Sequence, residues 1–343
     1  MSVQQHYPWH NSTWQRLQQS RQRRHHALLL RGRQGIAKLD FANRLAQSLL
    51  CQSPLDNGDA CGQCVSCSWF AQGTHPDYRL LTPEQDAPEG AEAAAASGKK
   101  AVRKSTQISV TQIRELAGFL ELSSHQVDGR RVVVIHPADA LNQTSANALL
   151  KMLEEPPANV IFLLVTSHPQ RLLPTIMSRC QQVEMPTPAE AEALAWLEQQ
   201  GVQDAANWLA YSGGSPLQAA EAATTGNERL QALATRLAQG QGLDPFATAS
   251  EFAMLGMEEV MTALQKWLYD LLAISLDTQP RYHLNSLPAL QALSKSVDLS
   301  ELLAYQRDVD SARRSASHPL NNELQLEHLL LQYSKLFSSK ART

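Results

Sequence analysis

What most constrains this chain is an alternation of short β-rich runs with helical stripes between Ala27 and Met185. The β-rich runs are Ala27 to Leu30, Tyr78 to Leu81, Val132 to Ile135 and Val160 to Val165, with the apolar-alternating Gln181 to Met185 closing the series. Val132 to Ile135 is wholly β-branched, the composition of a strand buried on both faces. Behind the first run, Phe41, Ala42, Leu45 and Leu49 recur at helical spacing. Ser109 with Gln112 reads as a capping box opening a helix that buries Ile113, Leu116, Ala117 and Leu120. Ala146, Leu149, Leu150 and Leu153 make an i, i+3, i+4, i+7 stripe that Pro156-Pro157 stops. This βαβα rhythm predicts a parallel sheet with helices on both faces.

The rhythm changes after Pro186 and Pro188. From Ala189 onward only helical patterns recur, broken at Gly213-Gly214-Ser215-Pro216 and near Gly240 to Gly242. The strongest are Met257 to Leu276, Leu302 to Arg314 and Asn322 to Leu336. In the last, Leu326, Leu329, Leu330 and Tyr333 line one side, either as internal packing or as a contact with another chain. The expected class is α/β plus all-α, and 343 residues accommodate two or three domains. The boundaries expected are an α/β domain over 1–187, a small helical domain over 188–228 and a C-terminal helical domain over 229–343. Between Pro83 and Ser105 the sequence has too little to bury and predicts a mobile loop.

A net charge of −3 argues against a protein that grips DNA alone through a broad basic face. Arg21, Arg23 and Arg24 form a local basic run, either a phosphate contact or a solvated turn. No apolar run reaches the ~18–20 residues that span a bilayer, and Met1 to Arg24 carries no apolar signal core. These features predict a cytoplasmic chain with no membrane partner. There thiols stay reduced, so five cysteines point to metal or chemistry sooner than to disulfides.

Gly32-Arg33-Gln34-Gly35-Ile36-Ala37-Lys38-Leu39 follows a strand and opens a helix, the context of a phosphate-binding loop. Gly32 and Lys38 fit the spacing, with Gly35 inside the loop. Ala37, however, stands where the second glycine belongs, and Leu39 replaces the hydroxyl residue that gives Mg²⁺ an oxygen. The strand Val132 to Ile135 leads into His136-Pro137 and not into the acid that helps hold Mg²⁺. Hydrolysis by this chain is therefore not expected. Two readings of the loop stay open, a plain strand-to-helix turn and weak nucleotide binding without metal handling.

Cys61, Cys64 and Cys67 are spaced by two residues, and Cys51 lies ten positions before the first. Four thiolates can close a tetrahedral structural zinc site. A Cys-x₂-Cys-x₂-Cys run also occurs in iron–sulfur proteins, and a loop of unliganded thiols is the third reading. Cys180 stands apart and reads as a small core residue. Its neighbour Arg179 carries the fork of donors that suits phosphate. It fits either an arginine finger reaching into a neighbouring site or a local ion pair.

Taken together, Ser178-Arg179-Cys180, the run Asn147 to Pro157 with its Leu153-Glu154-Glu155-Pro156-Pro157 end, His25 to Leu29, the four-cysteine module and Asn321 to Leu331 resemble the delta-prime subunits of bacterial DNA polymerase III clamp loaders. Those subunits are members of the AAA+ family, and the resemblance covers nearly the full length. It implies an AAA+ parallel-sheet domain with a zinc module on Cys51, Cys61, Cys64 and Cys67, a helical lid domain and a C-terminal helical collar domain. It also implies a five-subunit ring that opens a sliding clamp and places it on primer-template DNA, with gamma or tau as the ATPase subunits and delta as a further partner. Arg179 in the Ser-Arg-Cys motif is then the finger for a neighbour's ATP. Leu39, His136, Pro137 and Leu217 stand where the ATPase relatives carry nucleotide-handling residues. Thr166 matches a strand-end sensor position with no competent site beside it. The alternative is an autonomous AAA+ ATPase of weak turnover. The 83–105 insert lies outside what the resemblance explains.

Overall fold

The computed structural model describes residues 6–20, 25–86, 105–121, 129–224, 228–315 and 322–337. Residues 87–104 of the expected mobile loop lie outside them, as do Arg21, Arg23, Arg24 and Asn321. The chain divides into two compact units, Met1–Ala189 and Glu190–Thr343.

The first unit is built on five parallel strands: β1 (Ala27–Arg31), β2 (Tyr78–Leu81), β3 (Arg131–Ile135), β4 (Val160–Thr166) and β5 (Gln181–Glu184). Their order is β2-β3-β4-β1-β5, and every neighbouring pair is parallel. Each expected strand is present, within a residue at either end. Among the described residues, helix α1 (Asn11–Gln19) precedes the sheet and five helices connect its strands: α2 (Lys38–Leu50), α3 (Val65–Ala71), α4 (Val110–Glu121), α5 (Gln143–Glu154) and α6 (Pro174–Met177).

Alternate strand residues feed two cores, as the period of two requires. Leu28, Leu30, Val132, Val134, Leu163 and Val165 pack with Phe41, Leu45 and Leu49 of α2. Ala27, Leu29, Val133, Ile135, Phe162 and Leu164 pack on the other face with Ile113 and Leu116 of α4 and Leu149 and Leu153 of α5. The expected capping box is formed in both directions. The Ser109 amide donates to Gln112 Oε1 at 2.8 Å, and the Gln112 amide donates to Ser109 Oγ at 3.3 Å. Helix α1 has no counterpart in the sequence reading. Its polar composition hides one apolar edge, Trp14 and Leu17, which joins the α2 side of the core.

The second unit is helical: α7 (Glu190–Gln199), α8 (Ala205–Tyr211), α9 (Pro216–Thr224), α10 (Glu228–Leu237), α11 (Pro245–Phe252), α12 (Met257–Ser275), α13 (Leu287–Ser294), α14 (Leu299–Ser315) and α15 (Asn322–Lys335). Its core gathers on α12, where Trp267 is fully buried with Leu264, Leu268 and Leu271. The stripe Leu326, Leu329, Leu330 and Tyr333 of α15 packs into that same core, so internal packing accounts for it. Trp267 Nε1 donates to the Tyr333 hydroxyl at 2.8 Å, and that hydroxyl donates to the Leu237 carbonyl at 2.8 Å. One phenol thus satisfies an indole N–H and the last carbonyl of α10, both out of reach of water. Burial accordingly pushes its own ionisation far up. Tyr333→Phe keeps the ring and leaves both groups unpaired. Denaturant unfolding of the full chain should show a loss of about 1–3 kcal/mol.

Candidate functional site

Three features carry chemistry in the first unit: the loop after β1, the turn before β5 and the cysteine cluster. Loop residues Gly32 to Ala37 join the C-terminal end of β1 to the N-terminus of α2, as a phosphate loop requires. Two positions are held by backbone geometry. A Cβ on Gly32 would sit 2.5 Å from the Met185 carbonyl oxygen, and Gly35 has φ +74°. Packing against the strand-end residue Met185 therefore demands a glycine at 32 with or without a phosphate. Ala37, in the second glycine's place, adopts φ 61° and ψ 38°, a left-handed conformation that disfavours a Cβ.

Lys38 turns inward. Its ammonium donates to the Arg33 carbonyl within the loop and to Ser167 Oγ at 2.9 Å. Burial lowers its pKa to about 8, with the Asp139 carboxylate working the other way. The Ile36 carbonyl faces the N-terminal segment and lies 3.1 Å from Trp9 Nε1 and 2.8 Å from His10 Nε2. Trp9 and His10 are both buried. The Lys38 ammonium and two of the loop's carbonyls are thus engaged by the chain's own groups. The half-buried Leu39 brings no oxygen toward a metal.

Beyond β3, His136-Pro137 is followed by an acid that sequence reasoning missed. Asp139 sits in a short turn and accepts from Thr166 Oγ1 at 2.6 Å, with His168 Nδ1 3.2 Å from its other oxygen. Burial acts against its charge, but the hydrogen bonds from Thr166, its own amide and His168 prevail and hold its carboxyl below the usual range. Thr166, the expected sensor position, ends β4 fully buried. The signal that could have found Asp139 is its place between a buried strand and the helix cap Asn142, whose Oδ1 accepts from the Ser145 amide at 2.9 Å.

Ser178, Arg179 and Cys180 lie between α6 and β5. The Cys180 thiol is buried in the α5 side of the core, and burial pushes its pKa up to about 12. That anchors the turn and leaves Arg179 facing outward, 35% exposed at its side chain. Arg179 Nη1 donates to the Thr175 carbonyl at 3.0 Å and to Ser178 Oγ at 3.4 Å. Nη2 lies 2.5 Å from Glu154 Oε1. Ser178 and Cys180 therefore have separable physical tasks, one steering the guanidinium and the other fixing the backbone beneath it.

Cys51, Cys61, Cys64 and Cys67 bring their sulfurs within 4.8 Å of one another, so the four can hold a metal ion. Backbone amides point at three of the sulfurs: Cys61 N to Cys51 Sγ at 3.3 Å, Cys64 N to Cys61 Sγ at 3.4 Å and Cys67 N to Cys64 Sγ at 3.4 Å. The amides of Gln63 and Cys64 lower the Cys61 thiol to about 6. The last of these sulfur contacts also caps α3. The module is tied to α2 by a buried Arg44–Asp59 pair at 2.7 and 3.0 Å, with the Arg44 guanidinium 3.9 Å above Trp14. Ser66 Oγ ties it a second time, through the Leu50 carbonyl at 2.6 Å and His75 Nε2 at 2.8 Å.

The parallel sheet fixes where these features stand. Arg31 is in register with Glu184 and Leu28 with Gln181. The loop therefore lies at the C-terminal edge of the sheet and Arg179 at its N-terminal edge. Among the described residues, no helix is long and apolar enough to cross a membrane.

Comparison with known proteins follows the same division of the chain. Residues 9–189 match the family described as DNA polymerase III, delta subunit. Residues 223–335 match the one described as DNA polymerase III, delta subunit, C terminal. DNA polymerase III subunit delta' of Pseudomonas aeruginosa is 43% identical over 217 residues, covering 62% of this chain and 60% of that one. Its Escherichia coli counterpart is 36% identical over 197 residues, 57% of this chain and 53% of that one. The chain thus spans little more than half the length of these two relatives. DNA polymerase III subunit tau of Salmonella typhimurium is 36% identical over 162 residues, 47% of this chain and 22% of that one. A gamma subunit-related protein of Thermotoga maritima aligns over 95% of this chain and 99% of its own, at 18% identity and a TM-score of 0.45. The chain belongs to the DNA polymerase III delta-prime subunit family.

Proposed function

We propose that this chain is a non-hydrolysing subunit of the DNA polymerase III clamp loader. It supports ATP-dependent loading of the sliding clamp on primed DNA by lending Arg179 to the ATP of an adjacent gamma or tau subunit. The observation that carries this reading is the polarity of the sheet. Arg179 precedes β5 and the loop follows β1, and the strand register separates them by roughly 15–20 Å along the sheet. An extended arginine is too short to close that gap. Its guanidinium therefore has no reach to the loop of its own chain and serves a site presented by another.

The loop's own chemistry supports the same reading. Lys38 is spent on Arg33 and Ser167, Asp139 on Thr166 and His168, and Leu39 offers no ligand. Mg²⁺ is a hard cation that needs oxygen ligands, and Gly32, Gly35 and Lys38 provide the shape of a nucleotide loop without them. Residues 188–228 then act as a lid domain and 229–343 as a collar domain. Gamma or tau, delta, the clamp and primer-template DNA are the partners, and the cytoplasm is the compartment.

For the cysteine centre the proposed metal is structural zinc. The Cys51–Cys64 and Cys61–Cys67 sulfur separations of 3.9 and 4.0 Å are close to the edge of about 3.8 Å in a tetrahedron with Zn–S of about 2.3 Å. An iron–sulfur cluster interposes irons and sulfides between the cysteines and spreads them further apart. With four protein thiolates no position stays open for substrate, so the ion braces the module and takes no part in catalysis.

Arg179→Ala in the assembled complex should lower DNA-stimulated ATP turnover at the site it faces by ~10-fold or more, with assembly intact by gel filtration. Turnover at the wild-type level in a complete complex refutes the finger. The purified chain alone should release no phosphate from Mg-ATP, and metal-dependent release by a contaminant-free preparation restores the autonomous ATPase. Metal analysis of the native chain should give one zinc per chain, a brown colour with visible absorbance indicating iron instead. Cys64→Ser should lose that metal and expose the 51–67 segment to protease.

A further inference from the structure

Glu154 is the last residue of α5, where four helix carbonyls lack intrahelical partners and the helix dipole is negative. A carboxylate there is electrostatically misplaced unless a cation stands beside it. The cation is Arg179, whose Nη2 lies 2.5 Å from Glu154 Oε1. The two residues are 25 apart in sequence and meet because the Cys180 thiol seats the turn in the same core as Leu149 and Leu153 of α5. The backbone end of α5 is itself held, since His26 Nε2 lies 2.9 Å from the Leu153 carbonyl.

The contact has a particular form. Glu154 comes closest to the guanidinium at Nη2, while the Thr175 carbonyl and Ser178 Oγ accept hydrogen bonds from Nη1, and no hydrogen bond from Nε is made among the described residues. A guanidinium has five N–H donors. A carboxylate that locked the arginine away would be expected to seize two donors in parallel, the bidentate arrangement that suits this pair. Held by one nitrogen from Glu154 and one from the turn, the group is oriented while its Nε side stays free for an anionic oxygen.

We propose that Glu154 is the positioning residue for Arg179, holding the guanidinium in the direction in which it meets the neighbouring subunit's nucleotide. This rests on Arg179 acting as the finger. Glu154 does not touch the nucleotide and acts through Arg179 alone. Its removal therefore widens the range of directions the arginine samples and lowers the fraction set for reaction.

The test is a double-mutant cycle in the assembled complex, reading kcat and KM of DNA-stimulated ATP hydrolysis for wild type, Glu154→Ala, Glu154→Gln, Arg179→Ala and the Glu154→Ala/Arg179→Ala pair. Rates are taken per assembled complex. Glu154→Ala should lower kcat about three- to fivefold, the modest scale of a half-exposed charge pair, and leave KM within about twofold. Glu154→Gln, which keeps an acceptor oxygen, should fall between, and it carries the test if the alanine variant does not assemble. In the Arg179→Ala background Glu154→Ala should have no further effect. Unchanged or faster turnover in Glu154→Ala, with Arg179→Ala slow, overturns the positioning role and leaves the finger standing. A Glu154→Ala effect that persists without Arg179 overturns it as well. Wild-type turnover in Arg179→Ala removes the finger and this proposal together, and that outcome is read from the single variant alone.

Discussion

Everything chemical in the first unit depends on the direction of β1. It is buried on both faces, and it pairs in parallel with β4 on one side and β5 on the other. Parallel pairing fixes one edge of the sheet as the place where β1, β3 and β4 all end. It gathers Gly32 to Lys38, Asp139 and Thr166 to His168 there. The same constraint places the start of β5, and hence Arg179, at the opposite edge. A chain of this topology cannot bring its own arginine to its own loop without breaking the sheet. Strand polarity alone keeps Arg179 away from the loop of its own chain, ahead of any detail of the side chains.

At the loop edge, the charged groups are paired within the chain. A buried ammonium is costly, and Lys38 meets that cost with two oxygen acceptors and a carboxylate nearby. Asp139 does the same with Thr166 and His168. Opening this arrangement for a nucleotide means breaking bonds already made in a partly dry setting. Gly32 shows why the loop shape persists all the same. Its lack of a Cβ is required by Met185, so packing keeps the glycine whatever the loop's nucleotide chemistry.

The strands were legible because each is a contiguous apolar or β-branched run whose burial needs no knowledge of its partner. Ser109 with Gln112, and the stripes of α2 and α5, were legible for the same reason, since their signals repeat within one or two turns. Cys51, Cys61, Cys64 and Cys67 were legible by spacing alone, and their sulfurs do converge. What escaped was contact at long range. Lys38 with Ser167, Asp139 with Thr166, Arg179 with Glu154 and Arg44 with Asp59 join residues that no local period relates. Helix α1 escaped for a second reason, because a mostly polar helix shows its buried edge only once Trp14 and Leu17 have a core to face. Glu154 stands within the run Asn147 to Pro157, yet its ionic partner lies on a turn 25 residues further along.

The cysteine module shows how a long-range polar contact can matter more than its own stability. Replacing a buried ion pair by apolar groups is often neutral, but removing one partner strands the other charge at a cost of about 3–5 kcal/mol. Arg44 and Asp59 are both buried, and Asn57 also donates to Asp59, at 2.8 Å. Arg44 projects from the middle of α2, the helix that Lys38 begins. The pair therefore holds the excursion against the middle of α2, a second tie beside Cys51, which caps the C-terminal end of that helix. The four cysteines, which can hold a metal ion, and the Arg44–Asp59 pair thus tie the module at different points: the sulfurs converge at its base, and the ion pair holds the middle of the excursion against the middle of α2.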